Sequence, residues 1–199
     1  MLYTIEVTKT LIFDVGGVLM EDADAFDSMY ETVSKKAGLT PEEMAELWAR
    51  HYPQMAIGQR KLKDFFREVA RVAKKKTAGV TLFNLYKKAS KVDKKIFTVV
   101  KDLKKKGYKL LILSNDTPEG AALRVNQFKK LFDKLYVSSV VGIKKPDPKI
   151  FQLIIKAEKI DPKETFFIDD RERNLVTAKT LGFKTILFKS LADLPKDFS

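Results

Sequence analysis

The pattern of apolar and polar residues predicts two kinds of structure in this chain. A short apolar run at residues 10–15 is followed, between residues 21 and 90, by apolar positions that recur three and four residues apart. This spacing places side chains on one face of a helix. One such stripe consists of Leu62, Phe65, Phe66, Val69 and Val72. Thr40 and Pro41 are residue types favoured at the N-cap and the first turn of a helix. We therefore predict a strand at residues 10–15 and a helical module at residues 21–90.

A different pattern begins near residue 92, where amphipathic helical segments alternate with short apolar runs. The predicted strands in this part are residues 108–113, 135–141, 165–168 and 183–188. Alternating strands and helices favour a parallel sheet with helices on both faces. We predict the α/β class, with a Rossmann-like doubly wound parallel sheet built from residues 1–20 and 91–199. The small helical domain at residues 21–90 would be inserted into this discontinuous core, and residues 2–8 are predicted to form a short extra strand.

The composition excludes several classes of protein. The chain has 199 residues and is 45% hydrophobic, which is enough to form a folded core. The absence of cysteine excludes disulfides, thiolate metal sites and cysteine nucleophiles. The sequence contains neither a basic and apolar leader nor a run of about 18 apolar residues. We therefore expect a cytoplasmic protein without a membrane segment.

The charge of the chain raises the question of a nucleic-acid partner. The formal net charge is +12, with lysine runs at residues 74–76 and 104–106. Such a balance can form a basic surface for nucleic acid. However, 26 acids are interspersed with the lysines, which we predict to occupy helix faces opposite the apolar stripes. We therefore do not expect nucleic-acid binding. Abundant lysine and glutamate without cysteine is also typical of proteins from hot environments.

Polar residues follow four of the predicted strands, at the point where each strand ends. They are Asp14, then Ser114 and Asn115, then Lys145, and finally Asp169 with Asp170. Each has a plain structural explanation on its own, such as helix capping or exposure to water. However, the carboxyl ends of parallel strands meet at one edge of a sheet, where ligands bind in open α/β folds. We therefore expect these side chains to converge on one site.

With these motifs the chain resembles the haloacid dehalogenase superfamily over nearly its whole length. The four motifs stand here as Phe13-Asp14-Val15-Gly16-Gly17-Val18-Leu19, Leu113-Ser114-Asn115, Gly142-Ile143-Lys144-Lys145-Pro146-Asp147-Pro148 and Phe167-Ile168-Asp169-Asp170-Arg171. The downstream Asn174, Ala178 and Gly182 also match residues found in many members. The helical segment at residues 21–90 resembles the cap of the family. The resemblance implies a Rossmann-like core and a hydrolase that forms an aspartyl-enzyme intermediate.

The resemblance further implies a nucleophile and a metal. Asp14 would attack phosphorus and form a phosphoaspartate. Asp169 and Asp170 would face the same phosphate, and each pair of unit charges costs ~4 kcal/mol at about 4 Å and an effective dielectric near 20. A Mg²⁺ ion held by the three acids and the carbonyl of Gly16 would offset this repulsion, together with Lys145. We therefore expect Mg²⁺ as the cofactor.

The remaining motif residues would bind the substrate. Ser114, Asn115 and Lys145 would hold the phosphate oxygens and stabilise the transition state electrostatically. The expected catalytic set is Asp14, Ser114, Lys145 and Asp170. The helical cap would exclude water and select the substrate. We expect a phosphatase that acts on a small phosphorylated metabolite, whereas the sequence does not predict the oligomeric state.

Gly16 departs from the phosphatase pattern. Phosphatases of the family usually carry a second acid at this position, which serves as general acid and base. Such catalysis typically contributes ~10²–10⁴-fold to the rate. Candidate substitutes on the helical segment are His51, Glu21, Asp22 and Asp24, although all four are residue types common at protein surfaces.

Two alternatives stay open at the level of the sequence. Dehalogenases of the superfamily use the first aspartate, here Asp14, to displace halide from a halogenated acid, and need neither metal nor second acid. They usually lack the acid pair that stands here as Asp169 and Asp170, and they carry an arginine early in the cap, whereas the first arginine here is Arg50. The second alternative is a non-enzymatic member that binds a phosphorylated ligand or a protein. The retained Asp14, Lys145 and acid pair argue against it.

Overall fold

Five parallel strands form a single sheet in the computed structural model, which describes residues 9–20, 25–88 and 94–198. The strands are β1 (Thr10–Phe13), β2 (Lys109–Ser114), β3 (Lys134–Val137), β4 (Thr165–Asp169) and β5 (Lys184–Leu187). Their order across the sheet is β3-β2-β1-β4-β5. The predicted α/β class and parallel sheet are therefore confirmed, and the strand order reverses between β1 and β4. The strand predicted at residues 2–8 lies outside the described residues.

Helices connect the strands. The helices between β1 and β2 are α1 (Ala25–Ala37), α2 (Pro41–Ala56), α3 (Leu62–Val72), α4 (Gly79–Lys88) and α5 (Lys94–Lys105). The helices that follow β2 are α6 (Pro118–Arg124), α7 (Ser138–Val141), α8 (Pro148–Glu158) and α9 (Glu172–Thr180). Within the described ranges, none of the helices has the length and apolar character that crossing a membrane requires.

Alternate residues of β1 face opposite sides of the sheet. Leu11 and Phe13 belong to a buried cluster that also contains Ile96 of α5. Ile12, which lies between them, belongs to a second cluster with Ile150 of α8. All four residues of β1 are buried, as expected for the central strand of a sheet covered on both faces. This double covering confirms the doubly wound arrangement and explains why the strand reads as an uninterrupted apolar run.

The helices α1 to α4 enclose a third hydrophobic cluster, which includes Trp48, Phe65 and Phe66. The N-cap predicted at Thr40 is present at the start of α2, where it forms part of a capping box. The Glu43 amide donates to Thr40 Oγ1 at 3.2 Å, and the Thr40 amide donates to Glu43 Oε2 at 2.8 Å. The described residues 25–88 are thus helical as predicted. The assignment of residues 21–90 as a separate domain stays a prediction.

Three strands are shorter than predicted, of which β5 lacks one residue at each end of the predicted range 183–188. Strand β1 ends at Phe13 rather than at residue 15, because the Val15 carbonyl already accepts hydrogen bonds from the next turn, including one from Leu19 N at 3.0 Å. The run at residues 135–141 is divided between β3 and α7. The Ser138 carbonyl accepts a hydrogen bond from Gly142 N at 2.8 Å, which closes a helical turn that apolar composition alone does not distinguish from a strand.

The end of α3 also differs from the prediction. Val72 is 48% exposed, because the backbone leaves the helix at Ala73 and the apolar stripe does not continue. The lysines at residues 74–76 consequently follow the helix, whereas we predicted them on a helix face.

Candidate active site

The register of the central strands brings Asp14 and Asp169 side by side. Phe13 of β1 is paired with Ile168 of β4, so the next residues, Asp14 and Asp169, are neighbours at the carboxyl edge. A hydrogen bond of 2.9 Å from Asp14 N to the Ile168 carbonyl extends the pairing to this point. Ser114 ends β2 on the other side of β1. The edge therefore lies where the strand order reverses, which is the ligand-binding position of open α/β sheets.

Lys145 joins the two aspartates. Its ammonium nitrogen lies 2.9 Å from Asp14 Oδ1 and 2.7 Å from Asp169 Oδ2, and the residue is only 2% exposed. Two backbone hydrogen bonds with Asn115 hold the lysine in place. The Lys145 amide donates to Asn115 Oδ1, and Asn115 Nδ2 donates to the Lys145 carbonyl, both at 2.8 Å. The side chain of Asn115 therefore orients Lys145 toward the carboxylates.

The acid pair at the end of β4 has two different environments. Asp169 is fully buried and accepts hydrogen bonds from Lys145 Nζ, from the Arg171 amide at 2.8 Å, and from Asn174 Nδ2 at 2.9 and 3.0 Å. Asp170 is partly exposed, and its buried Oδ1 atom has no hydrogen-bond partner among the described residues. The lone pairs of Asp169 are thus largely occupied, whereas Asp170 retains an oxygen free to bind a cation.

The electrostatics of the cluster are unbalanced. Asp14, Asp169 and Asp170 each offer a carboxylate oxygen, and these atoms lie within 4.8 Å of one another. Burial raises the pKa of Asp14 to about 7; Lys145 opposes this shift, while the charges of Asp169 and Asp170 add to it. Burial, followed by the charge of Asp169, also raises the pKa of Asp170. Lys145 brings one positive charge to three acids, so the cluster favours binding of a further cation.

The donor set fits a hard divalent cation. Carboxylate oxygens in a compact group are the ligands that Mg²⁺ prefers, and the unpartnered Oδ1 of Asp170 is a coordination position without a competing hydrogen bond. The turn after Asp14 approaches this position closely. A Cβ atom at Gly17 would lie 2.6 Å from Asp170 Oδ2, and Gly17 has a positive φ of 75°. Only glycine therefore fits at this position without displacing Asp170.

Gly16 has a different environment from its neighbour. A Cβ atom at Gly16 would meet nothing within 4 Å, and the φ angle of Gly16 is not in the positive range. The residue is also exposed. A larger side chain would therefore fit at this position, and steric crowding does not account for the absence of the acid.

His51, one candidate for the missing acid, is held inside the helical segment. Its Nε2 atom lies 3.1 Å from Glu68 Oε1, and its Nδ1 atom lies 2.6 Å from an Arg60 nitrogen. The residue is 7% exposed and its ring packs near Phe65. Because both ring nitrogens are engaged, we interpret His51 as part of the framework of the helical segment. The other candidates, Glu21, Asp22 and Asp24, lie outside the described residues.

Two residues near the site were not singled out by the sequence. Tyr52 of α2 donates a hydrogen bond to the Asn115 carbonyl at 3.1 Å. Asp116 is buried and forms a two-point ion pair with Arg124, at 2.6 Å to Nη2 and 3.1 Å to Nε. Asp116 could have been singled out in the sequence because it directly follows Ser114 and Asn115. The only sequence signal for Tyr52 was its position four residues after Trp48. This spacing predicts that both lie on one face of a helix, but it does not predict a contact with the core.

The parallel sheet and the cluster of acids and lysine at its carboxyl edge agree with a hydrolase. The chain belongs to the haloacid dehalogenase-like hydrolase family, whose model matches residues 8–182.

Individual proteins of known name and a solved structure are similar to the chain. The chain is 29% identical over 211 residues to D-ribitol-5-phosphate phosphatase of Bacteroides thetaiotaomicron, which covers 93% of this chain and 94% of the relative. It is also 27% identical over 188 residues to mouse acyl-CoA dehydrogenase family member 10, but this match covers 89% of the chain and only 18% of that longer protein. The crystal structure of a HAD family enzyme from B. thetaiotaomicron, a magnesium complex, has a TM-score of 0.77 at 24% identity, covering 96% of this chain and 98% of that chain.

Proposed function

We propose that the chain is a Mg²⁺-dependent phosphatase that acts on a small phosphorylated metabolite through a phosphoaspartate at Asp14. The observation that carries the proposal is the cluster of Asp14, Asp169 and Asp170 braced by the buried Lys145, with one Asp170 oxygen unpartnered among the described residues. The similarity to a sugar-alcohol phosphate phosphatase over almost its full length supports the same chemistry.

Asp14 is the proposed nucleophile because of how it is held. Its Oδ1 atom accepts hydrogen bonds from the Val15 amide at 2.7 Å and contacts Lys145 at 2.9 Å. These contacts fix one carboxylate oxygen and leave Oδ2 to attack phosphorus in line with the departing oxygen. The attack forms an Asp14 acyl phosphate and releases the alcohol. Water then cleaves the acyl phosphate and regenerates the carboxylate.

The other residues bind the phosphoryl group and balance charge. Lys145 lies next to Asp14 and places a positive charge beside the phosphoryl oxygens. Ser114 ends the neighbouring strand, and its hydroxyl and the Asn115 amide would hold the same oxygens. Asp169 keeps Lys145 in place through its 2.7 Å contact.

Asp14, Asp170 and the Gly16 carbonyl would hold Mg²⁺. Asp169 completes the proposed set of acids around the ion. When bound, the ion supplies positive charge that offsets the repulsion between the carboxylates and the phosphate dianion. The helical segment at residues 21–90 is assigned as a cap that excludes water and selects the substrate. This assignment is supported by its separate hydrophobic cluster and by its contact with the site loop through Tyr52.

Dehalogenation is the second candidate reaction, since it uses an equivalent aspartate. It requires no metal, and the acid pair would then have no cation to bind. The unpartnered oxygen of Asp170 supports the phosphatase over this candidate and over a non-enzymatic ligand-binding role.

The experiment that tests the proposal is a hydrolysis screen over a panel of phosphorylated metabolites, with Mg²⁺ and with excess chelator. The panel includes sugar phosphates, alditol phosphates and acyl phosphates, and a 2-haloacid set is assayed in parallel. We expect phosphate release only with Mg²⁺. Halide release, or phosphate release that persists in chelator, would contradict the proposal.

A further inference from the structure

The side chain of Tyr52 connects the helical segment to two loops of the site. Its hydroxyl donates to the Asn115 carbonyl at 3.1 Å. Its ring stacks on Trp48, with ring centres 5.2 Å apart and planes inclined by 21°. The ammonium nitrogen of Lys144 lies 5.7 Å from the centre of the Tyr52 ring. Tyr52 is therefore held by α2 on one side and by residues that adjoin Ser114 and Lys145 on the other.

A continuous path of contacts runs from Tyr52 to the nucleophile. Asn115, whose carbonyl accepts from Tyr52, exchanges two hydrogen bonds of 2.8 Å with the backbone of Lys145. Lys145 in turn contacts Asp14 at 2.9 Å. A shift of the Asn115 backbone would therefore move the lysine relative to Asp14. Since Lys145 is 2% exposed, it has little room to compensate by changing its rotamer.

Neighbouring contacts fix the position from which Tyr52 acts. A Cβ atom at Gly58, just after α2, would lie 2.3 Å from the Ser139 carbonyl, so the two backbones approach closely. The amide of Leu62, at the start of α3, donates to Glu119 Oε2 of α6 at 3.3 Å. The segment that joins α2 to α3 therefore packs against the core, close in sequence to Tyr52.

We infer that Tyr52 is a positioning residue for the proposed phosphatase reaction: its hydroxyl, seated on the Asn115 carbonyl, fixes the loop that sets Lys145 against Asp14. The inference rests on the proposed function. It adds that turnover depends on how the helical segment packs against the core. Burial, together with the charge of Asp116, raises the pKa of Tyr52 to about 12, so the hydroxyl keeps its proton at neutral pH.

Tyr52→Phe is the decisive variant, because it removes the hydroxyl and keeps the ring that stacks on Trp48. Tyr136→Phe is the matched control, because the Tyr136 hydroxyl is bound to Glu158, away from the site. One neutral hydrogen bond corresponds to roughly 3- to 10-fold in rate. For hydrolysis of p-nitrophenyl phosphate with Mg²⁺, we expect Tyr52→Phe to lower kcat/KM by that factor, with kcat itself reduced. The control should stay within about 2-fold of the wild type in both.

Thermal unfolding of both variants separates positioning from stability. If Tyr52 only stabilised the fold, both variants would lose stability and neither would lose kcat at a temperature where each is folded. An unchanged kcat in folded Tyr52→Phe protein would overturn the inference.

A second readout keeps the inference testable if the proposed reaction fails. Trp48 is the one tryptophan of the sequence, so its emission reports on the Tyr52 stack. If the wild type hydrolyses no ester, inorganic phosphate is titrated with Mg²⁺ and followed by this emission. A half-saturating phosphate concentration about 3- to 10-fold higher in Tyr52→Phe than in Tyr136→Phe would support the inference without the reaction. Equal values, or no phosphate binding by the wild type, would overturn it.

Discussion

The ammonium nitrogen of Lys145 lies 2.9 Å from Oδ1 of Asp14, in a site where the lysine is 2% exposed and the aspartate 7% exposed. Both groups are therefore largely removed from water, and each depends on the other for its charge to be compensated. This relationship predicts that loss of Lys145 affects stability as well as activity.

Lys145→Met should lower kcat by at least ~10²-fold, because it removes the positive charge nearest the attacking carboxylate. It should also lower the free energy of unfolding by about 3–5 kcal/mol in chelator, because buried carboxylates lose their partner. Added Mg²⁺ should recover part of this loss, since the cation replaces the missing charge. Urea unfolding with and without Mg²⁺ measures this. Lys109→Met, which breaks the 2.8 Å Lys109–Glu158 pair, is the control, and an equal Mg²⁺ effect in both variants would contradict the prediction.

Asp14→Asn should abolish turnover, because an amide does not form the acyl phosphate. The fold should be retained, since asparagine is isosteric with aspartate and removes one of three mutually repelling acids. Mass spectrometry of wild-type protein quenched during turnover should locate the phosphate on Asp14. Phosphate on another residue, or turnover by the variant, would refute the assignment of Asp14.

Asp170→Asn and Asp169→Asn should have different effects, although the residues are adjacent. Asp170→Asn should raise the Mg²⁺ concentration required for half-maximal activity by at least about 10-fold, because it weakens a hard anionic ligand. Asp169→Asn should mainly lower the free energy of unfolding, by roughly 1–3 kcal/mol, because charge-assisted hydrogen bonds to Lys145 and Asn174 are lost. Metal titration and urea unfolding of both variants test this, and the prediction fails if their two profiles coincide.

Gly16→Asp should raise the rate on alkyl phosphates more than on aryl phosphates. An alkoxide needs a proton as it departs, whereas a nitrophenolate does not, and general acid catalysis typically contributes ~10²–10⁴-fold. The variant should fold, since a Cβ at Gly16 meets nothing within 4 Å. The comparison is the ratio of kcat/KM for an alkyl and an aryl phosphate in both proteins. An unchanged ratio in folded variant would show that the missing acid does not limit the reaction.

Gly17→Ala should be poorly tolerated, in contrast to the substitution at the neighbouring Gly16. The positive φ of 75° and the 2.6 Å approach to Asp170 Oδ2 predict strain at the metal position. We expect lower stability and a higher Mg²⁺ requirement from Gly17→Ala. Wild-type values for both would contradict the steric account of this turn.

Much of the fold and part of the site followed from the sequence. Apolar runs alternating with amphipathic helices determined the parallel sheet, because strands buried on both faces are apolar throughout. Asp14, Lys145 and Asp169 could be placed together in advance, because the carboxyl ends of parallel strands share one edge and each residue follows a recognisable strand or motif. The extent of β3 was not determined, because a short apolar run fits a strand and a helical turn equally well.

Only the tertiary structure decided how the neighbouring side chains share their contacts. Adjacent aspartates are equivalent in the sequence, yet Asp169 is saturated by Lys145, Arg171 N and Asn174 while Asp170 keeps an oxygen without a partner among the described residues. His51 is engaged by Glu68 and Arg60, because helices α2 and α3 pack face to face. The contact of Tyr52 with Asn115 depends on how the helical segment sits on the sheet edge. Periodicity fixes which face of a helix is apolar, but the partner of each polar atom depends on distances between elements far apart in the chain.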